Sequence, residues 1–176
     1  MAIKPAPTTV IAAAKDGDDV AFETLIRPLL EPGYRLAGGM LQDHEGAQDA
    51  VQEAALKAWR KLRHLRDESL IRPWFLAIVA NECRSARRSR WSSVIKAVVL
   101  DKPAELSTDT VLTGLELRRA LSVLDEKKRL VLVLRFYLDL PLEEIAVITK
   151  ASLHAVEGQL QRGVQELRQR MGVHRG

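Results

Sequence analysis

The sequence predicts an all-α protein of two helical domains joined by a flexible linker. Three observations predict this class. Helix-forming Ala, Leu, Arg, Glu and Gln abound, aromatic residues make up only 5% of the 176 residues, and apolar residues recur at helical spacing on both sides of a polar stretch. A β-sandwich or barrel needs aromatic and β-branched strands with frequent turns, so that class is disfavoured.

Composition also limits the function classes. The single cysteine, Cys83, excludes an intramolecular disulfide framework and a cysteine-based zinc site. The chain has neither a secretion signal nor the roughly 18 consecutive apolar residues that a membrane span needs, so we expect a cytoplasmic protein without a membrane partner. A net charge of +4 permits nucleic acid binding without requiring it.

Charge and composition divide the chain into two slightly basic blocks and a connecting stretch. We expect a first helical domain over residues 1–95, a linker over 96–112 and a second helical domain over 113–176. The linker stretch lacks sustained helical periodicity and contains Pro103 and a cluster of Ser, Thr and Asp, which is typical of a linker.

Four helices are expected in the first block. Their predicted bounds are Asp18 or Asp19 to Pro32-Gly33, Tyr34 to Leu41, Glu45 to Leu62, and Pro73 to about Arg88. An aspartate is a good N-terminal cap, a Pro-Gly pair ends a helix, and Pro is favoured in the first helical turn. The third helix carries an alanine-rich apolar stripe, which predicts that this face is buried.

The second block predicts a helix-turn-helix. Apolar residues from Leu117 to Leu124 are spaced for one helix, and Asp125 is expected to cap the next. A short helix from Leu142 to Ile148, a tight polar turn, and a longer helix from Leu153 to about Met171 follow. This order is typical of DNA-binding motifs, in which the last helix enters the major groove. An ordinary helical hairpin is the alternative.

The last helix and the end of the first block supply candidate DNA-binding residues. On the last helix these are Ser152, His154, Ala155, Glu157, Gly158, Gln159 and Arg162. In the first block they are Trp74, Asn81, Arg84, Arg87, Arg88 and Arg90. Arginines for phosphates, an amide for a base edge and an aromatic ring for stacking suit a single strand or a melting duplex. A solvated basic helix end is the alternative for the arginines.

A third candidate site is polar. Asp49, Gln52 and Glu53 share one helix face, which is either a solvated surface or a docking surface. We found no Gly-rich phosphate loop, no paired histidines at metal spacing and no nucleophile motif, so neither an enzyme nor a cofactor or metal site is expected.

Together these segments resemble the extracytoplasmic-function group of the sigma-70 family. Residues 47–60, and residues 73–81 with the arginines after them, are similar to sigma region 2. Residues 120–124, 129–136 and 140–146 are similar to region 4, as are Arg162, Leu167 and Arg168. The segments occur in the family's order, and the resemblance covers about residues 18–91 and 114–171.

The resemblance implies a sigma factor that brings RNA polymerase core to promoter DNA. Asp49, Gln52 and Glu53 would dock on the polymerase clamp helices, and the flap would be a second contact. The first-block arginines with Trp74 and Asn81 would recognise and melt the −10 element, and the last helix would read the −35 element. The acidic linker would pass towards the active-site cleft.

The same resemblance implies a free monomer and leaves open a separate anti-sigma factor as a partner. The alternative function is a stand-alone helix-turn-helix regulator that binds duplex DNA without polymerase, usually as a dimer. The chain also departs from the family's usual residues. An aromatic is usual at Ala55, and Thr, a basic residue and Arg are usual at Ala155, Glu157 and Gln159.

Overall fold

The computed structural model describes residues 8–94 and 111–170, and all regular secondary structure within these ranges is helical. The helices are α1 (Thr8–Lys15), α2 (Asp19–Leu41), α3 (His44–Lys61), α4 (Ile71–Val94), α5 (Val111–Val123), α6 (Glu126–Leu132), α7 (Leu142–Thr149) and α8 (Leu153–Arg170). Two short 3-10 turns, Leu62–His64 and Glu68–Leu70, connect α3 to α4, and a π-helical turn, Val133–Tyr137, follows α6. The predicted all-α class is confirmed.

The predicted linker, 96–112, lies outside the described residues except for its last two, which begin α5. Helix α4 continues to Val94, well past the expected end at Arg88. Helix α1 was not predicted at all. It packs Ile11 and Ala14 against Leu25 and Leu62 in a small apolar cluster of its own. Among the helices that the structure describes, none is both long and apolar enough to span a bilayer.

The predicted break at Pro32-Gly33 is wrong, because α2 runs through it as one helix. Each internal proline loses a backbone hydrogen bond and strains the turn before it, a cost of about 3 kcal/mol. Burial on both sides of the break offsets this cost, since Leu29 and Leu36 are both in the core. A Cβ at Gly33 would lie 3.2 Å from Cε1 of Phe75, so this glycine lets α4 approach closely.

The first block is a bundle of α2, α3 and α4. Aspartates cap two of these helices as expected: Asp18 Oδ1 accepts from Ala21 N at 2.9 Å, and Asp43 Oδ2 accepts from Gly46 N at 3.0 Å. The buried face of α3 consists of small side chains, namely Ala47, Ala50, Ala54 and Ala58. Small residues let the neighbouring helices approach closely, which positions the outer faces of α3 and α4.

The two blocks share one apolar core in this structure. The same cluster of buried side chains includes Phe75 and Val79 from α4, Ile145 from α7 and Val156 from α8. Where the π-helical turn crosses α2, a Cβ added at Gly39 would lie 2.8 Å from Cγ1 of Val133. The second block therefore lies against both α2 and α4.

One buried cation organises the second block. Arg129 is only 2% exposed, and its guanidinium donates to the carbonyl oxygens of Leu121 (2.7 Å), Ser122 (2.6 Å) and Leu124 (3.0 Å). The last carbonyls of a helix have no partner within the helix, so Arg129 satisfies the end of α5. It also donates to Met40 O of α2 at 3.2 Å, which joins the two blocks.

We expect Arg129→Met to lower the free energy of unfolding by about 3 kcal/mol. The substitution keeps an apolar chain of similar length but leaves several buried carbonyls without a donor, and each such loss is costly. Urea unfolding followed by circular dichroism measures the change. Arg119→Met, an exposed position on α5, is the control and should change stability by less than about 0.5 kcal/mol. Equal effects of the two substitutions would contradict the role given to Arg129.

Candidate nucleic-acid and protein interfaces

The predicted helix-turn-helix is present as α7, a short turn and α8. Ile145 and Ile148 of α7 and Val156 of α8 are buried together, so the two helices hold each other at a fixed angle. Lys150 ends α7 in the left-handed conformation, at φ 54°. Ser152 Oγ accepts from Ala155 N at 3.2 Å and caps the N-terminus of α8. The first turn of α8 lies at the surface.

The residues predicted to read DNA lie at the start of α8: Ser152 precedes the helix, and the other six belong to its first three turns. Four are exposed and three are half-buried: Ser152, His154, Glu157 and Arg162 are exposed, whereas Ala155, Gly158 and Gln159 are half-buried. A Cβ at Gly158 would lie 3.1 Å from Nη1 of Arg162, so that guanidinium rests over the glycine. The glycine therefore gives Arg162 room to lie along the helix, a relation that the four-residue spacing could have signalled.

Only some of the candidate residues on α4 are exposed to solvent. Asn81 and Arg88 are exposed, whereas Arg84 and Arg87 are half-buried. Arg87 has a buried Nη1 without a hydrogen-bond partner among the described residues. Trp74 is partly buried and packs against both apolar clusters.

Arg84 is held in place from two directions. Its Nε donates to Glu126 Oε1 of α6 at 2.5 Å, and its Nη1 donates to Asn81 Oδ1 at 3.1 Å. The structure thus brings Asn81 and Arg84 together, as their spacing suggested, but a carboxylate from the second block joins them. No local pattern predicts this third member, because Glu126 lies 42 residues further along the chain. The side chain of Arg90 lies outside the described residues.

The three polar residues of α3 share an outer face. Asp49 and Gln52 are exposed, while Glu53 is half-buried and takes part in an ion-pair network. Lys57 Nζ lies 2.6 Å from Glu82 Oε2 of α4 and 3.5 Å from Glu53 Oε1. The hydrogen bond with Glu82, together with the nearby carboxylates, raises the pKa of Lys57 above its ordinary value. Glu53 therefore belongs both to the outer face and to an ion-pair network that reaches α4 through Lys57.

A shallow apolar groove of about 570 Å³ lies beside this polar face, between α2 and α3. Its walls include Phe22 and Trp59, whose rings meet edge to face at 4.9 Å, and the exposed Leu56. Ala55 lines the groove at the position where the family usually carries an aromatic side chain, and Gln52 stands at its rim.

The described residues were also compared with the requirements of a metal site. Within them, no group of three or more His, Cys, Asp or Glu side chains is placed to hold a metal ion. Burial raises the pKa of the Cys83 thiol to about 12, which keeps it neutral.

Comparison with known proteins identifies both blocks. The family model for Sigma-70 region 2 matches residues 18–93, and the model for Sigma-70 region 4 matches residues 114–167. The chain is 29% identical over 136 residues to RNA polymerase sigma factor SigV of Bacillus subtilis, covering 77% of this chain and 81% of that protein. It is 30% identical over 124 residues to ECF RNA polymerase sigma factor SigM of Mycobacterium tuberculosis, covering 70% of this chain and 63% of that protein.

Two solved structures share the fold. The sigma factor RpoE of Bartonella quintana, in complex with the anti-sigma factor NepR, superposes with a TM-score of 0.72 at 22% identity, over 88% of this chain and 98% of that one. CnrH in complex with the cytosolic domain of CnrY gives a TM-score of 0.72 at 23% identity, over 95% and 97% of the two chains. These likenesses establish the all-α arrangement.

Proposed function

This chain belongs to the extracytoplasmic-function group of sigma-70-type RNA polymerase sigma factors, and we propose that it directs core polymerase to specific promoters and starts transcription there. The observation that carries the proposal is the succession of both sigma regions in order, with the candidate faces of α3, α4 and α8 inside the matched ranges. Sigma factors are regulatory subunits rather than enzymes. We propose the cytoplasm, where polymerase works, as its location.

The outer face of α3 is the proposed contact with the polymerase clamp helices. Asp49 and Gln52 are exposed there, and Glu53 adds a second carboxylate at its edge. An acidic patch steers and orients a basic partner helix. The polymerase flap is proposed as a second contact for the helix-turn-helix block, so that both blocks are fixed on one surface.

Promoter DNA is the proposed ligand of α4 and α8. On α4, Trp74, Asn81 and the arginines Arg84, Arg87, Arg88 and Arg90 would engage the −10 element and hold its strands apart. On α8, the first two turns would read the −35 element in the major groove, with Arg162 over Gly158. Two weak contacts joined by a linker bind well once polymerase fixes their spacing, because the second contact is then intramolecular.

A separate anti-sigma factor is the further partner we propose. One structural relative, RpoE, was solved in complex with the anti-sigma factor NepR, and its chain matches most of this one. The free protein is proposed to be a monomer.

Run-off transcription with core polymerase on a genomic promoter library, with and without this chain, tests the proposal. New start sites that depend on the chain are expected. If the chain instead binds duplex DNA as a dimer and supports no transcription, the stand-alone regulator is the correct function.

We expect Asp49→Arg to abolish co-purification with core polymerase, because it places a positive charge opposite a basic partner. Asp49 is exposed, so the helical circular dichroism should stay unchanged. Glu23→Arg, the same charge change at an exposed position of α2 whose ion-pair partner Arg27 is also exposed, is the matched control and should bind as the wild type does. Retained binding by Asp49→Arg would exclude this face as the contact.

We expect Asn81→Ala to lower open-complex formation on duplex promoters, since an exposed amide is lost from the melting face. Permanganate footprinting of the unpaired thymines measures the effect. A pre-melted bubble template should restore only the part of the defect that comes from melting. Ser85→Ala, at an exposed position one turn later on α4, is the control. Unaltered footprints with Asn81→Ala would remove this residue from the mechanism.

Glu157 is an acidic residue near the start of α8. A substitution there tests whether it contacts a base or only repels the DNA backbone. A glutamate can accept from a cytosine amino group, and losing one good base contact costs about 1–3 kcal/mol of discrimination. We therefore expect Glu157→Gln to weaken binding to the best −35 site and to relax the preference at one position only. Binding-site selection measures this, with Glu143→Gln of α7 as the control. Uniformly tighter binding with an unchanged motif would mean that Glu157 only repels the DNA backbone.

A further inference from the structure

Helix α8 contains two glycines, and helix packing explains only one of them. A Cβ at Gly163 would lie 3.0 Å from Leu132 Cδ1 of α6, so this glycine lets α6 and α8 approach closely. At Gly158 the three nearest atoms all belong to Arg162: Nη1 at 3.1 Å, Nη2 at 3.4 Å and Cζ at 3.6 Å. A glycine inside a helix is unfavourable relative to alanine. At this position the space that the glycine leaves is filled by a guanidinium and not by a neighbouring helix.

The Arg162 side chain extends back along α8. Side chains on a helix lean towards its N-terminus, so a residue covers the surface of the preceding turn. Here the end of the side chain covers the surface at Gly158, four residues earlier, which corresponds to about 6 Å along the helix axis. The positive charge of Arg162 therefore lies over the middle of the segment that we propose to enter the major groove.

This guanidinium is free to bind a ligand. Arg162 is exposed, and no hydrogen bond or ion pair with another described residue occupies its N–H groups. It is also the only lysine or arginine in residues 151–162. A guanidinium can donate two parallel hydrogen bonds to O6 and N7 of guanine, which is the commonest specific contact in the major groove. Arg162 is thus the one side chain in this segment that can make that contact.

We infer that Gly158 is a positioning residue: it lets Arg162 extend back along α8, so that the guanidinium reads a guanine of the −35 element from the surface at position 158. This inference rests on the proposed function, since it takes α8 to be the helix that reads the −35 element. Gly158 then acts through Arg162. Any side chain at position 158 competes with the guanidinium for the same space, and a larger side chain displaces it further.

A set of four variants separates this role from a direct contact of position 158 with DNA. The variants are Gly158→Ala, Gly158→Leu, Arg162→Met, and the double variant Gly158→Leu with Arg162→Met. Alanine and leucine both favour a helix more than glycine does, so the helical circular dichroism should not decrease. Gln165→Leu, at an exposed position later on α8, is the control for adding an apolar side chain.

Each full-length variant is assembled with core polymerase, and binding-site selection is carried out on duplex promoters with a randomised −35 element. We expect Arg162→Met to lower the preference for guanine at one position by at least about fivefold. Gly158→Leu should lower the preference at the same position to the same extent. Gly158→Ala should lower it about twofold, because the flexible end of Arg162 can shift away from a methyl group. Gln165→Leu should keep the wild-type motif.

The double variant is the decisive measurement. If Gly158 acts only through Arg162, the double variant should have the same motif and affinity as Arg162→Met alone. A double variant that is weaker than Arg162→Met by the full effect of Gly158→Leu would overturn the inference, because position 158 would then act on DNA independently. An unchanged motif in Gly158→Leu would also overturn it. So would an Arg162→Met variant that binds all sequences equally more weakly, since the guanidinium would then hold a phosphate.

Failure of the proposed function gives a different result. In that case the wild-type chain with core polymerase selects no −35 motif and starts no transcription on any promoter of the library. A clear −35 motif and promoter-dependent transcription with the wild type, together with an unchanged motif in Gly158→Leu, would reject the positioning role alone.

Discussion

The hydrogen bonds of Arg129 are the constraint on which the arrangement of this chain depends. A buried guanidinium is tolerated only where oxygen atoms surround it, because removing its charge from water without partners is strongly unfavourable. Here the end of α5 supplies three carbonyls and α2 supplies a fourth. One side chain of α6 therefore joins the end of α5 to α2, across the boundary between the two blocks.

Helix α4 has two uses. Its apolar side contributes Phe75 and Val79 to the shared core, and its polar side carries Asn81 and Arg84. The second block packs against the apolar side, so a single helix is at once part of the packing and part of the proposed DNA-binding face.

Local signals made much of this fold predictable from the sequence. Helices α3, α7 and α8 begin within a residue or so of where periodicity and capping place them, and Asp125 Oδ1 accepts from Lys128 N as a cap should. Relations between distant residues were not predictable. Helix α2 continues through Pro32 because the burial of side chains on both sides offsets the helix-breaking effect of the proline. The Arg84–Glu126 pair joins residues that are 42 apart in the chain. For the candidate sites, spacing predicted which residues share a face, but not that Glu53 also belongs to an ion-pair network or that Arg84 has a partner in the other block.

The burial of Cys83 bears on how the chain responds to its surroundings. A thiol reacts with peroxide, disulfides or electrophiles as the thiolate, and a pKa of about 12 leaves almost none of that form near neutral pH. The side chain is also fully enclosed by the first-block core, so reagents do not reach it without unfolding. It is the only cysteine in the sequence, so the one thiol of this chain is a buried one. Oxidation of this thiol would first require local opening of the first-block core.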